Sequence, residues 1–226
     1  MMSDTNLNFN EQNLKMRLNS SAIYSGFEST KAFLTNEQVF ECFEKSWTEN
    51  FSEITPEAQP RLIYVIGQTG AGKTGLVSLL SNTEKNIAII DTDNFRKFHP
   101  NFEILSKFDN SSGLTHPMAK NLYELTVMRC LDRKISFLGE ATMKAMEKVK
   151  TQLKKAKSLG YSIYTNLIVA RLEDSFLGSY YRAARSIDVG AAPRFVPSLV
   201  QDEAYKNIGI FSSSTESISE ISYFRI

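Results

Sequence analysis

The segment Gly67-Gln68-Thr69-Gly70-Ala71-Gly72-Lys73-Thr74 has the spacing G-x-x-x-x-G-K-[ST]. In that pattern glycines and small residues let successive backbone N–H groups turn inward toward a β-phosphate, and the N-terminus of the following helix adds partial positive charge. Lys73 is expected to reach the β- and γ-phosphates of ATP. Thr74 is expected to set its hydroxyl on Mg²⁺, an ion that keeps waters and phosphate oxygens as its remaining ligands. With glycine at about 7% of residues, the bare pattern arises by chance in roughly one chain of this length in a hundred, so coincidence explains it poorly. The loop alone does not choose between a kinase, an ATPase and a GTPase. The sequence holds no Asn/Thr-Lys-x-Asp guanine-reading segment, which weighs against a GTPase switch.

A second group of residues could serve an acceptor. Asp91 and Asp93 follow the apolar run Ile87 to Ile90, which puts two carboxylates at the carboxyl end of a buried strand. A carboxylate so placed can take the proton of an attacking hydroxyl. The competing reading is that Asp91 or Asp93 caps the turn that follows. His99, directly before Pro100, reads in isolation as a packing or turn residue.

Positioning both groups requires a scaffold. Arg61-Leu62-Ile63-Tyr64-Val65-Ile66 is a strand-length run of the kind buried on both faces, and Gly67 ends it. Similar runs recur at 87–90, 135–138, 161–169 and 221–224, alternating with helical patterns at 72–81, 117–133, 141–159, 171–187 and 198–212. This alternation predicts a mostly parallel central sheet with right-handed crossovers, its ligands beyond the carboxyl ends of the strands, and with the loop it predicts an α/β, P-loop NTPase/kinase-like three-layer fold. Residues 1–60 read as a helical lead-in packed on the core, with Phe33, Leu34, Val39, Phe40, Phe43 and Trp47 at helical spacing. Residues 61–226 are expected to form the P-loop domain, in what reads as a single domain overall. Asp109-Asn110-Ser111-Ser112-Gly113 is a loop signal. In the Lys-rich helix 144–157, Met143, Met146, Val149 and Leu153 make the buried stripe and the lysines a solvated face.

Composition narrows the partners. The 226 residues carry 26 basic and 25 acidic side chains, a net charge of +1, so no global field draws the chain to nucleic acid or to an anionic membrane. Its 2 cysteines, Cys42 and Cys130, lie too far apart in sequence for the close spacing of a zinc site, and they read as reduced and structural. Met1 to Asn13 is polar, without the apolar core of a signal peptide, and a cytoplasmic location is expected.

The P-loop followed by Asp91-Thr92-Asp93-Asn94-Phe95-Arg96-Lys97-Phe98-His99-Pro100-Asn101-Phe102 resembles the zeta toxin family of bacterial toxin–antitoxin kinases. Thr115-His116-Pro117, the helix bearing Glu124, Gly139-Glu140-Ala141-Thr142, Leu177-Gly178-Ser179-Tyr180-Tyr181-Arg182, and Arg194 with Pro197 follow in family order over roughly residues 60–211. The resemblance implies transfer of the ATP γ-phosphate to the 3'-hydroxyl of the amino-sugar of UDP-N-acetylglucosamine or a related UDP-sugar, with inhibition of cell-wall synthesis. It also implies a separate small antitoxin as partner. By the same resemblance Asp93 corresponds to the general base, and Arg182 and Arg194 to the arginines on the phosphates. Glu124 and Thr142, with His99, fall among the sugar-nucleotide contacts. Glu140 is the carboxylate after the third strand, assigned to substrate and, with Thr74, to the metal.

The family commonly reads Glu-Gly-Thr, then a basic residue and threonines, where this chain has Glu140-Ala141-Thr142-Met143-Lys144-Ala145. Thr69 stands where proline is frequent. A changed sugar or nucleobase preference is a consistent expectation. The residues alone also fit a kinase of another hydroxyl acceptor, such as a nucleotide cofactor or an antibiotic. A nucleotide-binding switch that transfers nothing is the third reading. For Glu124 and Arg182, both on predicted helices, the plain alternative is an exposed charge on a solvated face.

Overall fold

A computed structural model describes residues 31–108, 111–142, 146–188 and 198–225. The chain divides into two compact units, Met1–Ser52 with Thr92–Leu125, and Glu53–Asp91 with Thr126–Ile226. The division does not fall at residue 60.

The second unit holds the sheet. Its strands are β1 (Arg61–Gly67), β2 (Ala88–Ile90), β3 (Phe137–Thr142), β4 (Ser162–Val169) and β5 (Glu220–Arg225), in the order β2-β3-β1-β4-β5. Every pairing is parallel. The chain leaves β1 for the edge strand β2, returns to β3 beside β1, and then crosses to β4 on the other flank. That reversal makes the carboxyl end of β1 the switch point, where an open α/β sheet takes its ligand.

Burial on both faces of β1 explains its unbroken apolar run: Leu62 through Ile66 are at most 5% exposed. Ile63 and Val65 point to one face, where Val77 and Leu80 of α2 (Lys73–Thr83) pack against the core. Tyr64 points to the other and hydrogen-bonds through its hydroxyl to Gln152 of α5 (Met146–Ser158). Helices therefore cover both faces, the three-layer arrangement expected. In α5, Val149, Leu153 and Ala156 are buried at helical spacing, with Lys154 and Lys155 on the exposed side. Met143 lies outside the described residues. The unit is completed by α6 (Leu172–Asp188) and α7 (Ser198–Thr215).

The first unit contains α1 (Asn36–Phe51), a 3-10 helix (Asp93–Phe98), the short α3 (Phe102–Leu105) and α4 (Ser111–Arg133) as far as Leu125. A capping box opens α1: the Thr35 hydroxyl accepts from Gln38 N, and the Gln38 side chain accepts from Thr35 N. One face of α1 then builds an aromatic ladder from Phe40 to Phe43 to Trp47 to Phe51, which reaches Phe95 of the 3-10 helix at 6.4 Å between ring centroids. Lys97 and Glu49 pair at 2.6 Å. The ladder explains the aromatic spacing in the lead-in: it holds the segment that carries Asp93.

Several boundaries differ from the sequence expectation. Helix α4 begins at Ser111, inside the segment read as a loop, and Pro117 lies within it. A proline there removes the donor to the Gly113 carbonyl, and Gly113 is exposed to solvent. Strand β3 runs on to Thr142, because parallel pairing with β1 continues through Glu140 opposite Val65 and Thr142 opposite Gly67. The helix expected from residue 141 is α5, starting at Met146.

Candidate active site

The loop after β1 is built by close backbone approach. A Cβ on Gly67 would lie 2.6 Å from the Ile168 carbonyl oxygen of the neighbouring strand. Gly70 and Gly72 have φ of 83° and 77°, the left-handed region that favours glycine. Gly72 occupies the N-cap of α2 and brings no side-chain acceptor. The N–H groups of the loop and first turn thus suit an anion. Gln68, 0% exposed, ties the loop to the end of β4: its amide donates to the Ala170 oxygen at 2.9 Å and accepts from Ala170 N at 3.3 Å.

Lys73 is 6% exposed and folded over its own loop, Nζ donating to the Gln68 oxygen at 2.7 Å and the Gly67 oxygen at 3.2 Å. Glu140 Oε1 lies 3.8 Å from Nζ. Burial pushes the Lys73 pKa below the ordinary lysine value; the Glu140 carboxylate opposes that shift and the Arg182 guanidinium adds to it. A phosphate entering the loop would add negative charge to the one carboxylate that faces this buried ammonium at 3.8 Å.

Around Lys73 the side chains fit a magnesium ion that arrives with its nucleotide. Thr74, in the first turn of α2, is exposed, and Glu140 is 36% exposed. A hydroxyl and a carboxylate are the hard oxygen donors Mg²⁺ takes, and phosphates and waters supply the rest. Among the described residues no cluster of three His, Cys, Asp or Glu side chains could cage a metal without such help.

Helix α6 carries Arg182 and meets the loop directly. The Ser175 and Ser179 hydroxyls both donate to the Thr69 oxygen, at 2.7 and 3.3 Å. A Cβ on Gly178 would lie 2.3 Å from the Gly70 oxygen. Arg182 is exposed, one turn further along the same face. Thr142 is also exposed, opposite Gly67 in the β1–β3 register. The site of the second unit thus brings together Lys73, Thr74, Glu140 and Thr142 at the strand ends, with α6 against the loop.

In the first unit Asp93 opens the 3-10 helix, 53% exposed, and its Oδ1 accepts from Arg96 Nε at 2.8 Å. Arg96 Nη1 donates to Thr115 Oγ1 at 2.9 Å, and that hydroxyl donates to the Ser111 oxygen. The cap position belongs to Thr92, which makes no side-chain cap bond. The carboxylate is therefore held by a side-chain relay. His99 is 2% exposed. Its Nδ1 accepts from Asn101 N at 3.1 Å, which puts the proton on Nε2, 3.3 Å from the Ala32 oxygen. Burial lowers its pKa from the ordinary histidine value. Both ring nitrogens are thus engaged with backbone, and substrate contact would require one bond to be given up. Glu124 is half-buried on α4. Arg194 and Pro197 lie outside the described residues.

Sequence reasoning passed over Arg96 as the partner of Asp93, and Gln68 and Ser175 as supports of the loop. The i, i+3 spacing of Asp93 and Arg96 was the available signal for the first. For the other two there was none, since their partners are more than a hundred residues away in sequence.

A parallel sheet whose switch-point strand runs into a glycine loop and a buried lysine defines a P-loop α/β protein. The family model described as Zeta toxin matches residues 44–222, and the chain belongs to that family. It is 26% identical to Toxin zeta of Enterococcus hirae over 174 residues, covering 74% of this chain and 61% of that protein. To Toxin PezT of Streptococcus pneumoniae it is 31% identical over 127 residues, 55% of this chain and 50% of the other. Among solved structures it is similar to a chain of the PezAT chromosomal toxin–antitoxin system of Streptococcus pneumoniae, with a TM-score of 0.72 at 22% identity over 86% of this chain and 79% of that one. That likeness shows the fold. The match spans 61% of the Enterococcus relative's length and 50% of PezT's. No helix among the described residues is long and apolar enough to cross a membrane.

Proposed function

We propose that the chain is an ATP-dependent phosphotransferase that phosphorylates the 3'-hydroxyl of the amino-sugar of UDP-N-acetylglucosamine or a related UDP-sugar. The observation that carries this reading is the buried Lys73 inside a loop of left-handed glycines, beside Glu140, in a chain of the zeta toxin family. In the reaction the acceptor oxygen bonds to the γ-phosphorus, the bond from that phosphorus to the β,γ-bridging oxygen breaks, and ADP leaves. Asp93 takes the acceptor proton. The loop amides and Lys73 hold the β- and γ-phosphates, and Arg182 with Arg194 meets the charge that spreads over the transferring oxygens. Thr74 and Glu140 would hold Mg²⁺, which would supply positive charge against that of the phosphates. Glu124 and Thr142 contact the sugar nucleotide.

Such a kinase would act in the cytoplasm, where its substrates are, and would require a small antitoxin to restrain it. The fold likeness to a chain from a toxin–antitoxin system supports that partner. The deciding experiment incubates the protein with ATP, Mg²⁺ and a panel of UDP-sugars and looks for new phosphomonoesters by phosphorus NMR or mass spectrometry. ADP released with no phosphorylated sugar would reduce the protein to an ATPase and overturn the reading.

A further inference from the structure

We infer that Ser175, Gly178 and Ser179 of α6 are positioning residues that clamp the phosphate-binding loop and hold Arg182 against it as one rigid body. The role in phosphate transfer rests on the proposed function; the clamp rests on geometry within one unit. Ser175 and Ser179 are 0% and 4% exposed, and both hydroxyls converge on the Thr69 carbonyl. Directly beside them the two backbones meet with no side chain between. A Cβ on Gly70 would lie 2.3 Å from the Ser175 oxygen and 2.8 Å from Ser179 N, and one on Gly178 would lie 2.3 Å from the Gly70 oxygen. Each segment contributes a glycine to the same contact.

Helix formation does not explain Gly178, because glycine is a poorer helix former than alanine. Contrast Gly209 within α7, where a Cβ would find nothing within 4 Å. Residues 175, 178, 179 and 182 recur at helical spacing, so the face that grips the loop also presents Arg182. The guanidinium already acts on the buried Lys73 ammonium. Any tilt or slide of α6 therefore changes the distance from arginine to loop, and a misplacement of about 1 Å in a catalytic group costs on the order of a hundredfold in rate.

The test compares Gly178→Ala and the Ser175→Ala/Ser179→Ala double variant with wild type and with Gly209→Ala as control, each first shown to be folded by thermal melting. Three readouts are taken: hydrogen exchange of the amides across residues 67–75 without nucleotide, ATP binding by calorimetry, and kcat in the product assay. The clamp predicts faster loop exchange and weaker ATP binding in both α6 variants, with a Kd raised about tenfold in the serine double variant, which loses two hydrogen bonds. In the product assay kcat should fall as well, while Gly209→Ala matches wild type throughout. Should Gly178→Ala fail to fold, the serine double variant decides, since it adds no volume. A lowered melting temperature with wild-type loop exchange and wild-type Kd would overturn the clamp and leave the serines as ordinary packing residues. If wild-type protein itself bound no ATP, the proposed function would fall, and loop exchange would still report on the clamp.

Discussion

The phosphate loop and the Asp93 segment put charged side chains in place by opposite means. In the loop, backbone does the work: glycines at positive φ, a strand carbonyl 2.6 Å from where a Cβ would sit, and a lysine 6% exposed that donates to main-chain oxygens. Around Asp93 the carboxylate is 53% exposed and held by a relay of side chains, Arg96 to Thr115, on a short helix pinned by the aromatic ladder of α1. Backbone constraints admit few residue types. Side-chain relays admit many. The loop therefore carries a readable signature, whereas at Asp93 the residues alone left a base and a cap both open, and the family resemblance chose between them.

The sharpest way to break this contrast is Asp93→Asn. Loss of a general base should lower kcat about 10²–10⁴-fold with ATP affinity intact, read by the product assay beside calorimetry. Retained transfer would strip Asp93 of its role. Lys73→Ala should cost about 10²–10³-fold in transfer and should relieve growth inhibition on expression; equal toxicity of this variant would sink the kinase mechanism.

The remaining variants probe how the Asp93 segment is supported. Removing the central rung of the ladder with Trp47→Ala should destabilise the fold by about 3–5 kcal/mol in denaturant unfolding. Arg96→Ala should lower kcat while the KM for ATP stays constant, and should cost some stability, since the Arg96 side chain is only 11% exposed and its bonds to Asp93 and Thr115 are lost. A parallel rise in that KM would show that Arg96 does more than orient Asp93.

The smallest effect is a pH dependence at His99. Because burial lowers its folded pKa below the usual 6.5, the unfolded chain binds more protons in the window between the two values, and stability rises with pH there. The His99 contribution is complete above that unfolded value and is lost as pH falls through the folded one, by at most about 1.4 kcal/mol per pH unit. Thermal melts between neutral and mildly acidic pH should show a shallower slope in His99→Gln than in wild type.

Most elements were legible because burial on both faces demands unbroken apolar runs, as in Leu62 to Ile66, and one-face burial demands helical spacing, as at Val149, Leu153 and Ala156. The misread boundaries were those where pairing overrode local signals. β3 continues to Thr142 because β1 lies alongside it, and α4 runs back through a segment rich in turn residues.

By itself, the sequence determined the strand–loop–helix with Lys73 and Thr74, the alternation that forces a parallel sheet, and the order of the acceptor-side residues. These follow from local backbone conformation and periodicity, which neighbouring residues dictate. Only the tertiary structure decided that Thr69 is gripped by Ser175 and Ser179, that Gln68 is tied to Ala170, that Lys73 rests on its own loop, and that His99 is spent on Asn101 and Ala32. Most of those bonds join residues far apart in the chain, and any residue of suitable size and polarity could make them, so no spacing rule announces them in advance.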